Sequence, residues 1–116
     1  MTIESVMSIE EQIIRKMIEI LAEHNWLLSD MFDSEEYHKG ITVEEAIELF
    51  HGVDAYPTMF FHNDVKGTEF GVMLVDGNEF DVIADWTFSA TDNSEDSFAK
   101  IMDKVCDWVN EQEANA

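Results

Sequence analysis

The sequence predicts an α+β domain: a three-stranded antiparallel β-meander packed against N-terminal helices and a long C-terminal amphipathic helix. Three observations carry that prediction. Apolar residues recur at helical spacing near both ends of the chain, over 9–21 and 98–109. Between them, 58–88 is rich in β-branched and aromatic residues and is punctuated by turn signals. An apolar content of 46%, with eight Phe and three Trp, is enough for a folded core. At 116 residues the chain fits a single domain, 1–116. Such a domain buries roughly two-thirds of its unfolded surface and needs no disulfide or metal to hold it.

The first helix is expected to start at Ser8, where Ser8 and Glu11 fit a capping box. Ile9, Ile13, Met17, Ile20 and Leu21 then form its apolar face, with Glu10, Glu19 and Glu23 opposite, and Asn25 suits its end. Trp26, Leu27, Leu28, Met31 and Phe32 read as a short second helix or a packed turn, and 33–40 as a polar loop. Thr42 with Glu45 gives a second capping box; Val43, Ala46, Ile47 and Phe50 follow as a short helix, stopped by Gly52. Residues 54–57 read as a turn, because Pro57 disfavours helix just before it. The meander is expected as strands 58–62, 69–75 and 78–88, joined by a turn at 63–67 and a two-residue hairpin at Asp76-Gly77. In the third strand Phe80, Val82, Ala84, Trp86 and Phe88 alternate with Glu79, Asp81, Ile83, Asp85 and Thr87. The last helix is expected from Asn93 or Ser94 to about residue 112, on the stripe Phe98, Ile101, Met102, Val105, Cys106, Val109. Helices on one face of an antiparallel sheet make an α+β sandwich.

Charge is the anomaly. Six Lys plus Arg stand against 26 Asp plus Glu, a net charge of −20. Such a field repels nucleic acid and anionic membranes and attracts basic surfaces. The acids run from Glu4 to Glu113 and do not form one tail. Cys106 is the only cysteine, which excludes an intrachain disulfide and fits a reducing compartment. Met1-Thr2-Ile3-Glu4 does not open a signal peptide, and no apolar run has membrane-spanning length, so the expected location is the cytoplasm.

Motifs for chemistry are missing. The five glycines form no phosphate-binding pattern, and there is no nucleophile elbow and no H-E-x-x-H pair. His24, His38, His51 and His62 are not paired at metal-ligand spacing. Asp92-x-Ser94-x-Asp96 and Asp30-x-x-Asp33-x-Glu35 lack the Gly and Glu of an EF-hand loop; the first suits a helix N-terminus instead. Cys106 sits on an apolar stripe and reads as a small buried hydrophobe. No enzyme, metal or cofactor is therefore expected.

The acids do follow the expected elements. On the third strand Glu79, Asp81 and Asp85 share the face opposite the aromatic one, and Glu69 can join them from the neighbouring strand. Residues i and i+2 on a strand lie roughly 6.5–7 Å apart, close to successive phosphates of one nucleic-acid strand. On the last helix Asp96, Asp103, Asp107 and Glu111 form a ridge. Only Arg15, Lys16, Lys100 and Lys104 can pair with acids on the long helices, so most carboxylates lack a cation. A generic acidic, highly soluble surface would account for the charge alone, but a halophile is disfavoured by the Ile and Phe content.

A surface with −20 on 116 residues approaches the charge density of a short duplex, one charge per roughly 1.7 Å of axis. In size, acidity and lack of catalytic motifs the chain resembles DNA-mimic inhibitors, a likeness of kind and not of sequence. It implies an acidic inhibitor whose partner is a basic nucleic-acid-binding protein: a nuclease, a restriction or CRISPR component, or a repair enzyme. Direct nucleic-acid or membrane binding is not expected. An acidic secretion chaperone or toxin-immunity protein, often a homodimer, is the alternative, and it requires an exposed apolar patch beside the acids. Trp26 and Trp108 fall at or beyond the edges of the stripes and could supply it, although flanking the core is the simpler expectation.

Overall fold

The structure, a computed structural model, describes residues 8–52, 56–77, 79–87, 89 and 91–116. Its elements are α1 (Ile9–Glu23), β1 (Leu27–Phe32), β2 (Tyr37–Lys39), α2 (Val43–His51), β3 (Thr58–Asn63), β4 (Thr68–Leu74), β5 (Ile83–Trp86) and α3 (Phe98–Ala114). The α+β class is as expected. The sheet, however, has five strands where a three-stranded meander was expected, and its order is β2-β1-β3-β4-β5 with every pair antiparallel.

The helices form where local signals place them. Ser8 caps α1, its hydroxyl accepting from the Glu11 amide at 3.1 Å. The Glu11 carboxylate meets Arg15 Nε at 3.1 Å. Asn25, with φ of 67°, turns the chain out of α1. At α2 both bonds of the Thr42–Glu45 capping box are present, and Gly52 caps the C-terminus. Arg15 forks onto Glu44 at 2.8 and 2.9 Å and ties α1 to α2. The last helix begins later than expected. Ser97 is its N-cap, whereas Ser94 takes the amide bond of an Asx turn on Asp92 at 3.1 Å.

The sheet departs from the sequence reading at both ends. Residues 26–32 do not form a helix or packed turn; 27–32 are β1, and the polar loop 33–40 contains β2. The bulge between Leu28 and Asp30 explains the misreading. It sets Leu28 opposite Phe61 and Met31 opposite Met59, so two inward residues stand three apart, a helical spacing. The third strand of the expected meander is cut to four residues, 83–86. Here Leu74 pairs with Ile83 and Met73 with Asp85, which leaves Ala84 as the extra residue of a bulge. Among the described residues 79–87 the expected alternation therefore fails at the bulge: Ile83 and Trp86 turn inward, and Ala84 is exposed. The two-residue hairpin at Asp76-Gly77 becomes a wider connection, closed by the Val75 amide on the Val82 carbonyl at 2.8 Å. Part of the 54–57 turn, together with Asn78 and Phe88, lies outside the described residues.

One core lies between the sheet and the helices. Ile13, Ile14, Met17 and Leu21 of α1, Phe50 of α2 and Ile101, Met102 and Val105 of α3 meet Met31, Met59, Phe61, Val72 and Leu74 of the sheet. Burying an aliphatic or Phe side chain fully contributes ~1.5–3 kcal/mol. Trp26 closes one end of the core with no exposed surface. It stacks on Phe70 at 5.6 Å, meets the edge of Phe98 at 5.0 Å, and donates its indole N–H to the Asp96 carbonyl at 2.9 Å. Trp26 therefore cannot supply an exposed patch. Trp108 is half-buried, with the Lys16 ammonium 6.0 Å from its ring centre.

Candidate functional site

Acids on the helical layer divide into those held by cations and those left free. Lys66, in the β3–β4 turn, reaches Asp96 at 3.0 Å and Asp92 at 3.2 Å. Its hydrogen bond to Asp96, then that to Asp92, raise the Lys66 pKa, and the same contacts help hold both carboxyls below their usual range. Asp96 precedes α3 and is already neutralised, so it does not extend the helix ridge. Asp103, Asp107 and Glu111 do lie along α3, all exposed, and pair with no Lys, Arg or His among the described residues. Their steps of four residues rise about 6 Å each. Cys106 is half-buried beside them. Desolvation first, then the charges of Asp103 and Asp107, push its thiol pKa up.

The three acids expected on one strand face, and Glu69 expected beside them on the neighbouring strand, are not brought together. Glu79 stands in a turn with φ of 53°, and Asp81 precedes β5; both are exposed and neither lies on a strand. Asp85 lies on β5 opposite Met73, and Glu69 lies on β4 opposite His62. Both face away from the helices, separated along β4 by Phe70, Gly71 and Val72 and by Met73. The bulge at Ala84 and the wide β4–β5 connection remove the period of two on which a phosphate-like row depended.

That outward sheet face carries features the sequence reading did not contain. Cross-strand pairing lines up Tyr37, Phe32, Thr58, Met73 and Asp85 in one row. A second row runs Lys39, Asp30, Phe60, Gly71, and a third Leu27, His62, Glu69. Leu27, Phe32, Tyr37 and Met73 remain 38–45% exposed. The face is ordered by its own contacts. The Tyr37 hydroxyl donates to Asp30 at 2.8 Å, and its ring lies 5.5 Å from that of Phe60. Burial, then the bond to Asp30, pushes the Tyr37 pKa up to about 12. Phe60 in turn covers Gly71, where an added Cβ would stand 3.0 Å from the ring and 2.9 Å from Thr58 Cγ2.

A cleft of about 930 Å³ opens between the β1–β2 turn and α2, lined in part by Asp33, His38, Glu45 and Glu48. Two of its acids hold the backbone. Asp33 accepts from the Glu36 amide at 2.7 Å, the Glu35 amide at 2.9 Å and His38 Nε2 at 2.8 Å, and these bonds lower its pKa to about 2. Glu45 closes the α2 capping box. Among the described residues no group of three or more His, Cys, Asp or Glu is placed to hold a metal ion, and no helix is long and apolar enough to cross a membrane.

No family model, curated protein or solved structure matches the chain.

Proposed function

We propose that the chain is an acidic, non-catalytic, cytoplasmic binding protein that occupies the basic groove of a nucleic-acid-binding protein, as a nucleic-acid-mimic inhibitor does. Its natural setting on this reading is phage or mobile-element defence evasion, against a restriction or CRISPR component or another nuclease. The carrying observation is the line of free carboxylates Asp103, Asp107 and Glu111 on the rigid α3 scaffold, on a chain of net charge −20. A cationic cleft gains from such a line without reading any base, and association is steered by the field of the whole chain. Asp85, Glu69, Glu79 and Asp81 contribute to that field as separate charges and not as a row.

The test is titration of purified restriction and CRISPR nucleases with the protein in competition with DNA. Inhibition is expected to be stoichiometric and to weaken steeply as salt rises. Reversal of Asp103, Asp107 and Glu111 to Lys should abolish it while circular dichroism stays unchanged. Salt-indifferent behaviour against every nuclease tested would sink this reading.

A second reading, an acidic chaperone or immunity protein, is favoured by one observation: the exposed Leu27, Phe32, Tyr37 and Met73 on a sheet face that no helix covers among the described residues. This is the apolar patch beside acids that such a function needs.

A further inference from the structure

We propose that the open face of the sheet docks a cationic, amphipathic segment of another protein, one that presents Lys or Arg beside apolar side chains. The inference rests on the second reading and is independent of the α3 ridge. The juxtaposition that carries it is apolar anchors beside acids that have no cation. Leu27, Phe32, Tyr37 and Met73 are exposed, while Asp30, Glu69 and Asp85 form no ion pair among the described residues. Lys39, at the end of edge strand β2, is the single Lys or Arg in the five strands.

Each candidate occupant meets this face differently. A second copy would bring its own Asp30, Glu69 and Asp85 and a net charge of −20 against the same acids, and like charges across an interface are unfavourable. Nucleic acid and anionic lipid are repelled for the same reason. A cationic amphipathic segment satisfies both halves of the face: its apolar side chains cover Phe32 and Met73, and its cations reach Glu69 and Asp85. Tyr37 is already held against Phe60 at 5.5 Å and by its bond to Asp30 at 2.8 Å, so little of its side-chain freedom is lost on docking.

The experiment uses the full chain with its Met and Leu methyl groups labelled for NMR. Three short synthetic peptides of equal length serve as probes: Lys/Leu amphipathic, Lys/Ser of the same charge, and Glu/Leu of the same apolar content. The Lys/Leu peptide is expected to shift the Leu27 and Met73 methyl signals and to bind about fivefold or more tightly than the Lys/Ser peptide. Phe32→Ser with Met73→Ser should remove that advantage, and Glu69→Gln with Asp85→Asn should weaken the Lys/Leu peptide alone. Shifts confined to Met102, the labelled residue of α3, or equal binding of the Lys/Ser peptide, would overturn the docking surface and leave the α3 proposal standing. Equal binding of the Glu/Leu peptide at Leu27 and Met73 would overturn the cationic partner and leave the apolar patch of the second reading. Concentration-dependent shifts of Leu27 and Met73 without peptide would overturn it in favour of a second copy.

Discussion

Replacing Trp26 with Phe tests how the two ends of the chain are joined. Trp26 follows α1, is wholly buried against Phe70 and Phe98, and its indole N–H holds the Asp96 carbonyl at 2.9 Å, one residue before the Ser97 cap of α3. Phe keeps an aromatic ring but removes the donor. Losing a part-buried hydrogen bond of this kind costs about 1 kcal/mol. The smaller ring forfeits about 40 Å² of buried apolar surface, about 1 kcal/mol, and the space it leaves adds a fraction more. The sum is ~2–3 kcal/mol, which for a domain of this size lowers Tm by ~8–15 °C. Urea unfolding should show the midpoint fall with the slope unchanged, and amide exchange should quicken first at the start of α3. Trp108→Phe is the control: half-buried, and with an indole that makes no hydrogen bond among the described residues, it should lose clearly less. A loss below ~0.5 kcal/mol in Trp26→Phe, the scale of a surface change, would refute the claim that this side chain fastens α3 to the sheet.

Two further outcomes follow from the packing and the charges. Gly71→Ala should destabilise by ~1–3 kcal/mol in urea unfolding, because its Cβ would stand 2.9 Å from Thr58 Cγ2 and 3.0 Å from the Phe60 ring; the displaced Phe60 signals should be visible by NMR. Asp33 has its pKa lowered from 3.8 to about 2, first by the Glu36 amide and then by His38 and the Glu35 amide. A carboxyl with a depressed folded-state pKa stabilises the fold fully above its unfolded value and loses that contribution as pH falls through the folded one. The difference in urea midpoint between the parent and Asp33→Ala should therefore shrink as pH falls from about 4 to about 2. A difference that grows over that range would show that the charge of Asp33 is not what holds the turn.

What the sequence by itself determined is the set of features written within a few residues of chain. Ser8 and Thr42 cap helices because their hydroxyls meet amides three residues on, and the stripes from Ile13 to Leu21 and from Phe98 to Val109 are buried because i, i+3, i+4 neighbours share one face. Composition settled the net charge, and strands β3 and β4 were legible from the turn signals at 63–67 and Asp76-Gly77 that bound them. Tertiary structure decided the rest. β1 and β2 exist only because β3 lies alongside to complete the sheet, and no local signal records that partner. Bulges in β1 and β5 shift inward residues from a spacing of two to three, so Leu28 with Met31 looks helical, and the alternation that made 78–88 read as one long strand breaks at Ala84. The placement of acids follows the same rule. Asp103, Asp107 and Glu111 stayed in line because a helix carries its own register. Glu79, Asp81 and Asp85 did not, because the register of a strand is set by its neighbour.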